Sequence, residues 1–319
     1  MPDLLRLDDD RGRFAGLSAI LLTLFVTALS SRNPDWSAAV ELLLFGIPAV
    51  VVLGLALARP RDAGPPPGWI SAMLVAGFAL STGALVSLAD LLGANSEDLQ
   101  TSTVTWIAAV LAVVFAAIAI RRSSAVCTLL AASAAVTAVL AGVDWVFEPE
   151  GAQTYRWILV ALGLVLIAAG IALYRDRGRH GVVLVVLSGI VIFGITITFA
   201  AEFVTPLFGG EGGDAADGIG WGWELIMLAF GIALAAFAAY TREPGPGYVS
   251  AFLLSTFVGL STAGEEAFVG WPLVLLLLLL ATLAGIFMPG DGRPGAPGAA
   301  VAGDGPREDP GDVSREVRL

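Results

Sequence analysis

Lysine is absent from this chain of 319 residues, and it has one histidine, His180, and one cysteine, Cys127. Each scarcity closes off a chemistry. Without lysine there is no Schiff base to retinal or pyridoxal and no lysine nucleophile. A single histidine excludes bis-histidine haem and histidine-rich metal sites within one chain. A single cysteine excludes an internal disulfide or a CxxC redox pair. Cys127 lies in an apolar run and reads as a small core residue. His180 lies among arginines and reads as a solvated basic residue on a loop. Charge is scarce too. Only 14% of residues are Asp, Glu, Lys or Arg, against about 25% in a soluble domain.

What the chain has is apolar runs. Hydrophobic residues make up 57% of it, and mean hydropathy is +0.83. The excess falls into stretches of roughly 17–25 residues, the length that crosses the bilayer hydrocarbon as a helix. Ten are delimited: 14–30, 37–58, 69–93, 104–120, 124–147, 157–174, 181–203, 221–240, 248–264 and 271–288. The fold class is therefore an all-α polytopic membrane protein of ten transmembrane helices. Residues 1–13 form a polar N-terminal segment and 14–288 the transmembrane domain. Residues 289–319, rich in Gly and Pro, form a disordered tail, because they cannot bury enough apolar surface to fold. The first run loosely fits a cleavable signal at Ala28-Leu29-Ser30, but Asp3, Asp8, Asp9 and Asp10 ahead of it argue against cleavage.

The connections alternate in charge. One set carries Arg59, Arg61, Arg121, Arg122, Arg175, Arg177, Arg179 and Arg242; the other has only Arg32 and Arg156. Arginine-bearing short loops stay in the cytoplasm, which places both termini there, in a cell membrane. The basic feet recur every 50–65 residues, so the chain reads as five repeated hairpins: 14–58, 69–120, 124–174, 181–240 and 248–288. Hydroxyl residues sort with direction. Twenty Ser and Thr lie in the odd-numbered spans and three in the even ones. Small and hydroxylated residues suit helix contact or a wet cavity, and all-apolar helices suit lipid. The expectation is an inner layer of odd helices and an outer layer of even ones.

Carboxylates gather near the outer ends: Glu41, Asp90, Asp144, Glu202, Glu224, Glu265 and Glu266. If the layers close around an axis, they form an acidic collar of the kind that attracts cations. Thr82, Thr137, Thr198 and Thr256 are candidate coordinating hydroxyls along the same path. The alternatives are interfacial carboxylates at headgroup depth, with Arg156 pairing to Asp144, and hydroxyls engaged in dry packing. The glycine-rich loop 205–220 holds Glu211, Asp214 and Asp217, but at a spacing unlike known calcium loops, and it reads as a linker. No catalytic residue, metal site or cofactor is indicated, since no nucleophile–base pair is present. In span count and size the chain is similar to the ten-helix exporters of the drug/metabolite transporter superfamily. That likeness covers no motif, and five hairpins are not their two-fold inverted arrangement, so no function is carried over. Two functions follow from the residues: a transporter or channel whose acidic outer mouth favours a small cation or cationic solute, or a non-catalytic scaffold or subunit that meets a protein partner. The lipid bilayer is a partner in both, and nothing points to nucleic acid.

Overall fold

The computed structural model describes residues 9–58, 66–94, 100–149, 151–204 and 221–261. The described residues form α-helices and links: α1 (Asp9–Ser31), α2 (Ala38–Ala58), α3 (Gly68–Leu91), α4 (Thr101–Arg122), α5 (Ala125–Phe147), α6 (Ala152–Tyr174), α7 (Gly178–Val204), α8 (Trp221–Thr241) and α9 (Pro244–Ser261). Eight of them, α1 to α8, are long and apolar enough to cross a membrane. The chain is an integral, multi-pass membrane protein. The tenth expected span, 271–288, lies outside the described residues.

The apolar runs mark the helices but not their ends. Helix α1 begins five residues before its run, at Asp9, where Asp9 and Asp10 sit favourably at the positive end of the helix dipole. Helix α6 begins at Ala152 rather than at Trp157. A hydropathy reading detects the hydrocarbon, whereas the helix continues into the polar interface until its backbone groups find other partners. At the α4–α5 link only Ser123 and Ser124 separate the helices. Ser123 takes a left-handed φ of 50°, and the Ser124 side chain accepts from the Cys127 N–H at 3.4 Å to cap α5.

Helix packing is sequential. The most extensive contacts join α2 to α3, α4 to α5, α6 to α7 and α8 to α9. A second set runs α1 to α3, α3 to α5, α5 to α7 and α7 to α9, so that the odd helices form a continuous row. Among the described residues no sizeable contact joins helices more than two apart in the chain. The closely packed pairs therefore lie across the arginine-bearing links. Across the opposite links the contacts α1–α2, α3–α4, α5–α6 and α7–α8 are slight. The Arg121-to-Arg179 hairpin, α5 with α6, is among the least packed.

Glycine notches give the physical reason. Lipid supplies no hydrophobic drive between helices, so they associate where small residues let backbones approach. Gly77 of α3 lies under Leu53 of α2, Gly142 of α5 faces Thr105 of α4, and Gly231 of α8 lies under Leu254 of α9. In α6 and α7 the two backbones touch: a Cβ on Gly181 would stand 2.5 Å from the Gly170 carbonyl oxygen and 2.7 Å from the Tyr174 Cα. At the same end Arg122 donates to the Leu57 carbonyl, which joins the end of α4 to the end of α2.

Burial does not follow the division between odd and even helices. Helix α7 is the most enclosed, and α3 and α4 are enclosed alike, while α5 is as open as α6 and α1 as open as α2.

The α6–α7 contact is the most sensitive point of this packing. Gly181→Ala is expected to lower stability by about 1–3 kcal/mol, the usual cost of overpacking. Gly54→Ala in α2, where a Cβ meets nothing within 4 Å, is expected to be neutral or slightly stabilising. Thermal unfolding of the two variants in detergent tests the difference.

Candidate functional site

The acidic ends of the helices carry polar contacts between pairs joined by the arginine-poor links. Glu41, in the first turn of α2, accepts from the Ser30 hydroxyl of α1 at 2.7 Å. Asp144, in the last turn of α5, accepts from the Tyr155 hydroxyl of α6 and from the Thr101 side chain of α4. One carboxylate thus ties three helix ends together. Beside it, Gln100, Thr101, Ser102, Asp144, Trp145 and Glu148 line an open cleft of about 490 Å³. Glu148 caps α5 with a left-handed φ of 41°.

A second cluster lies between α6, α7 and α8. Arg156 is buried in the second turn of α6, with 6% of its surface exposed. Its Nε donates to the Thr198 hydroxyl at 3.0 Å, and its guanidinium stands 3.6 Å over the Phe199 ring. Trp223 of α8 packs beside Phe199 and against Trp157, with ring centroids 6.3 and 4.9 Å apart. A planar cation over an aromatic face, desolvated by neighbouring rings, is favourable by about 2 kcal/mol. Arg156 was expected opposite Asp144. Instead Tyr155 and Thr101 bond Asp144, and Arg156 reaches α7. The earlier start of α6 explains this, because it places Arg156 inside the helix and facing its close partner.

The expected carboxylates that are described sit at the ends of separate helices. Asp90 is half-buried near the end of α3, and Glu224 half-buried in the first turn of α8. Glu202 falls in the last turn of α7, but its side chain lies outside the described residues, as do Glu265 and Glu266. The hydroxyls are engaged locally. Thr82 donates to the Phe78 carbonyl at 2.9 Å, Thr137 to Ser133 at 3.1 Å, Thr198 to Ile195 at 2.7 Å and Thr256 to Phe252 at 2.9 Å. Thr137 is exposed and Thr256 half-buried. Among the described residues no group of three or more His, Cys, Asp or Glu side chains is gathered as for a metal ion.

His180 is a further departure. It is buried, at 7% exposure, in the first turn of α7, and its Nδ1 lies 2.5 Å from the Thr128 hydroxyl of α5. Nothing in the local sequence announces this, because flanking arginines look the same around a solvated histidine as around a docked one. Arg156 did leave a signal: it is one of only two arginines on the arginine-poor side.

Compared with protein-family models, with curated proteins and with solved structures, the chain matches none of them.

The Arg156–Thr198 bond gives a direct test of the α6–α7 contact at this end. Thr198→Val leaves a buried guanidinium N–H without its acceptor and is expected to cost about 1–3 kcal/mol. Thr198→Ser keeps the oxygen and should stay within about 0.5 kcal/mol of the parent. Thermal unfolding of both proteins separates hydrogen bonding from side-chain volume.

Proposed function

We propose that the protein is a non-catalytic membrane scaffold, a subunit whose row of helix pairs presents a polar, acidic outer rim to a protein partner. The observation that carries this reading is the local engagement of the hydroxyls. A serine or threonine bonded to the carbonyl three or four residues back is satisfied without water or ligand, and Thr82, Thr137, Thr198 and Thr256 all are. Rows of such residues serve close packing, like the glycines beside them. The open row of described helices supports the same reading, since a scaffold has no need of a closed axis.

In this proposal ten spans over residues 14–288 form the membrane domain, the odd helices make the spine, and the even helices lie alongside. The arginine-bearing links and both termini face the cytoplasm. The carboxylates of the opposite ends then form the outer rim.

The second reading is a transporter or channel for a cation or cationic solute. It is favoured by the outer cleft, where Asp144 and Glu148 stand with Gln100, Thr101 and Ser102. Rings of acid of this kind concentrate cations at a pore mouth.

Thiol accessibility distinguishes the two. Cys127 is replaced by Ser, and single cysteines are placed at Thr82 and Thr198, with lipid-facing Val113 and Val165 as controls. Intact cells are treated with a membrane-impermeant thiol reagent that requires water. The scaffold reading expects the two threonine positions to label no faster than the controls. Rapid labelling at both threonine positions but at neither control overturns it in favour of a water-filled path.

A further inference from the structure

His180 holds together two helices that share no other side-chain hydrogen bond among those described. Helix α5 belongs to the core built by α1 to α5, where Cys127, Ala131 and Ala134 are buried. Helix α7 is the centre of the packing from α5 to α9. The Thr128–His180 contact joins them at the arginine-bearing end. The His180 backbone N–H bonds the Arg177 carbonyl at 2.9 Å.

A neutral imidazole donates from one nitrogen and accepts at the other. Acceptance from the Thr128 hydroxyl at Nδ1 leaves Nε2 as the donor. When the ring is protonated both nitrogens donate, and Thr128 must turn its own proton to the Ser124 carbonyl, 3.3 Å away. The hydrogen bonds can rearrange, but the charge cannot be accommodated. A buried cation loses its hydration, and the amino end of α7 presents positive dipole to it. The charged and titratable groups at this end are Arg121 and Arg122 closing α4, Cys127 on α5, Tyr174, Arg175, Asp176 and Arg177 around the α6–α7 link, Arg179 next to His180 in α7, and Arg242 and Glu243 in the α8–α9 link. Arg177 and Arg179 lie just before His180 in sequence, and their charges have the repelling sign. The two acids among them, Asp176 and Glu243, are exposed.

We propose that His180 is a proton-operated clip: the neutral ring fastens α5 to α7, and protonation as the pH falls below about 6.5 releases that end. Histidine is the side chain whose charge changes nearest this range, and this chain has one.

The protein supplies its own reporter. Cys127 is fully buried, lies next to Thr128 in α5, and is the only thiol. The full chain in lipid nanodiscs is reacted with 4,4′-dithiodipyridine, which attacks thiols in acid as well as at neutral pH. The rate at Cys127 is expected to rise about tenfold from pH 7.5 to 4.5, as local opening becomes easier. In His180→Gln, which keeps a donor and an acceptor but does not titrate, the rate should be flat. Histidine-labelled protein yields a single imidazole NMR signal, whose midpoint should coincide with that of the Cys127 rate. A flat Cys127 rate across the imidazole titration, or an equal rise in His180→Gln, overturns the proposal. If His180→Gln is labelled rapidly at every pH because it does not fold, the comparison of the two wild-type midpoints decides alone.

Discussion

Inside a lipid bilayer a helix gains nothing from hiding apolar side chains from its neighbours' apolar side chains, so cohesion must come from closeness. In this protein much of that closeness is supplied by glycine. The contact of Gly170 with Gly181 brings two backbones together at the arginine-bearing end of α6 and α7, Gly77 and Gly231 each seat a leucine in the α2–α3 and α8–α9 pairs, and in α4–α5 Gly142 makes only ordinary contact with Thr105. The pairing choice follows from the notches. A helix flanked by two equally available neighbours packs against the one it can approach. The polar contacts at the acidic ends, Ser30 with Glu41 and Tyr155 with Asp144, then tether pairs that are otherwise loosely joined. Packing sets the pairs and hydrogen bonding sets their spacing.

The membrane class and the positions of the helices were legible because hydrocarbon thickness imposes a length on every apolar run. The grouping into pairs was not. Charge alternation reports which side a loop occupies, and the same pattern accompanies either choice of partner, α5 with α6 or α5 with α4. The glycines that settle the choice are scattered among 38 of them, and sequence alone does not say which ones meet a neighbour. The expected inner layer met a similar limit. Hydroxyl richness in the odd helices is real, but a hydroxyl bonded to its own helix has no need of an interior, and Thr137 of α5 is exposed.

The candidate site was legible in composition and illegible in geometry. Asp144 was identified from its place at a helix end, yet its partners Tyr155 and Thr101 come from two other helices. Arg156 illustrates the reason. Reading the sixth span from Trp157 leaves Arg156 in a loop near Asp144. Starting the helix at Ala152 turns the same side chain toward Thr198 and the Phe199 ring. A shift of five residues in a helix boundary exchanges one partner for another. His180 moves from solvent to a buried contact for the same reason, because α7 begins at Gly178 rather than at Gly181.

The sequential packing has a consequence for how such a chain arises. A bundle closed around a shared centre cannot accept another member without rebuilding every contact. A row whose members touch only their near neighbours is indifferent to its own length, as is a solenoid of stacked repeats. Duplication of one helix pair would insert a unit that meets two ready-made faces, and deletion would let the flanking faces meet each other. Length is then a heritable variable separable from stability, and chains of this construction are free to differ by whole pairs.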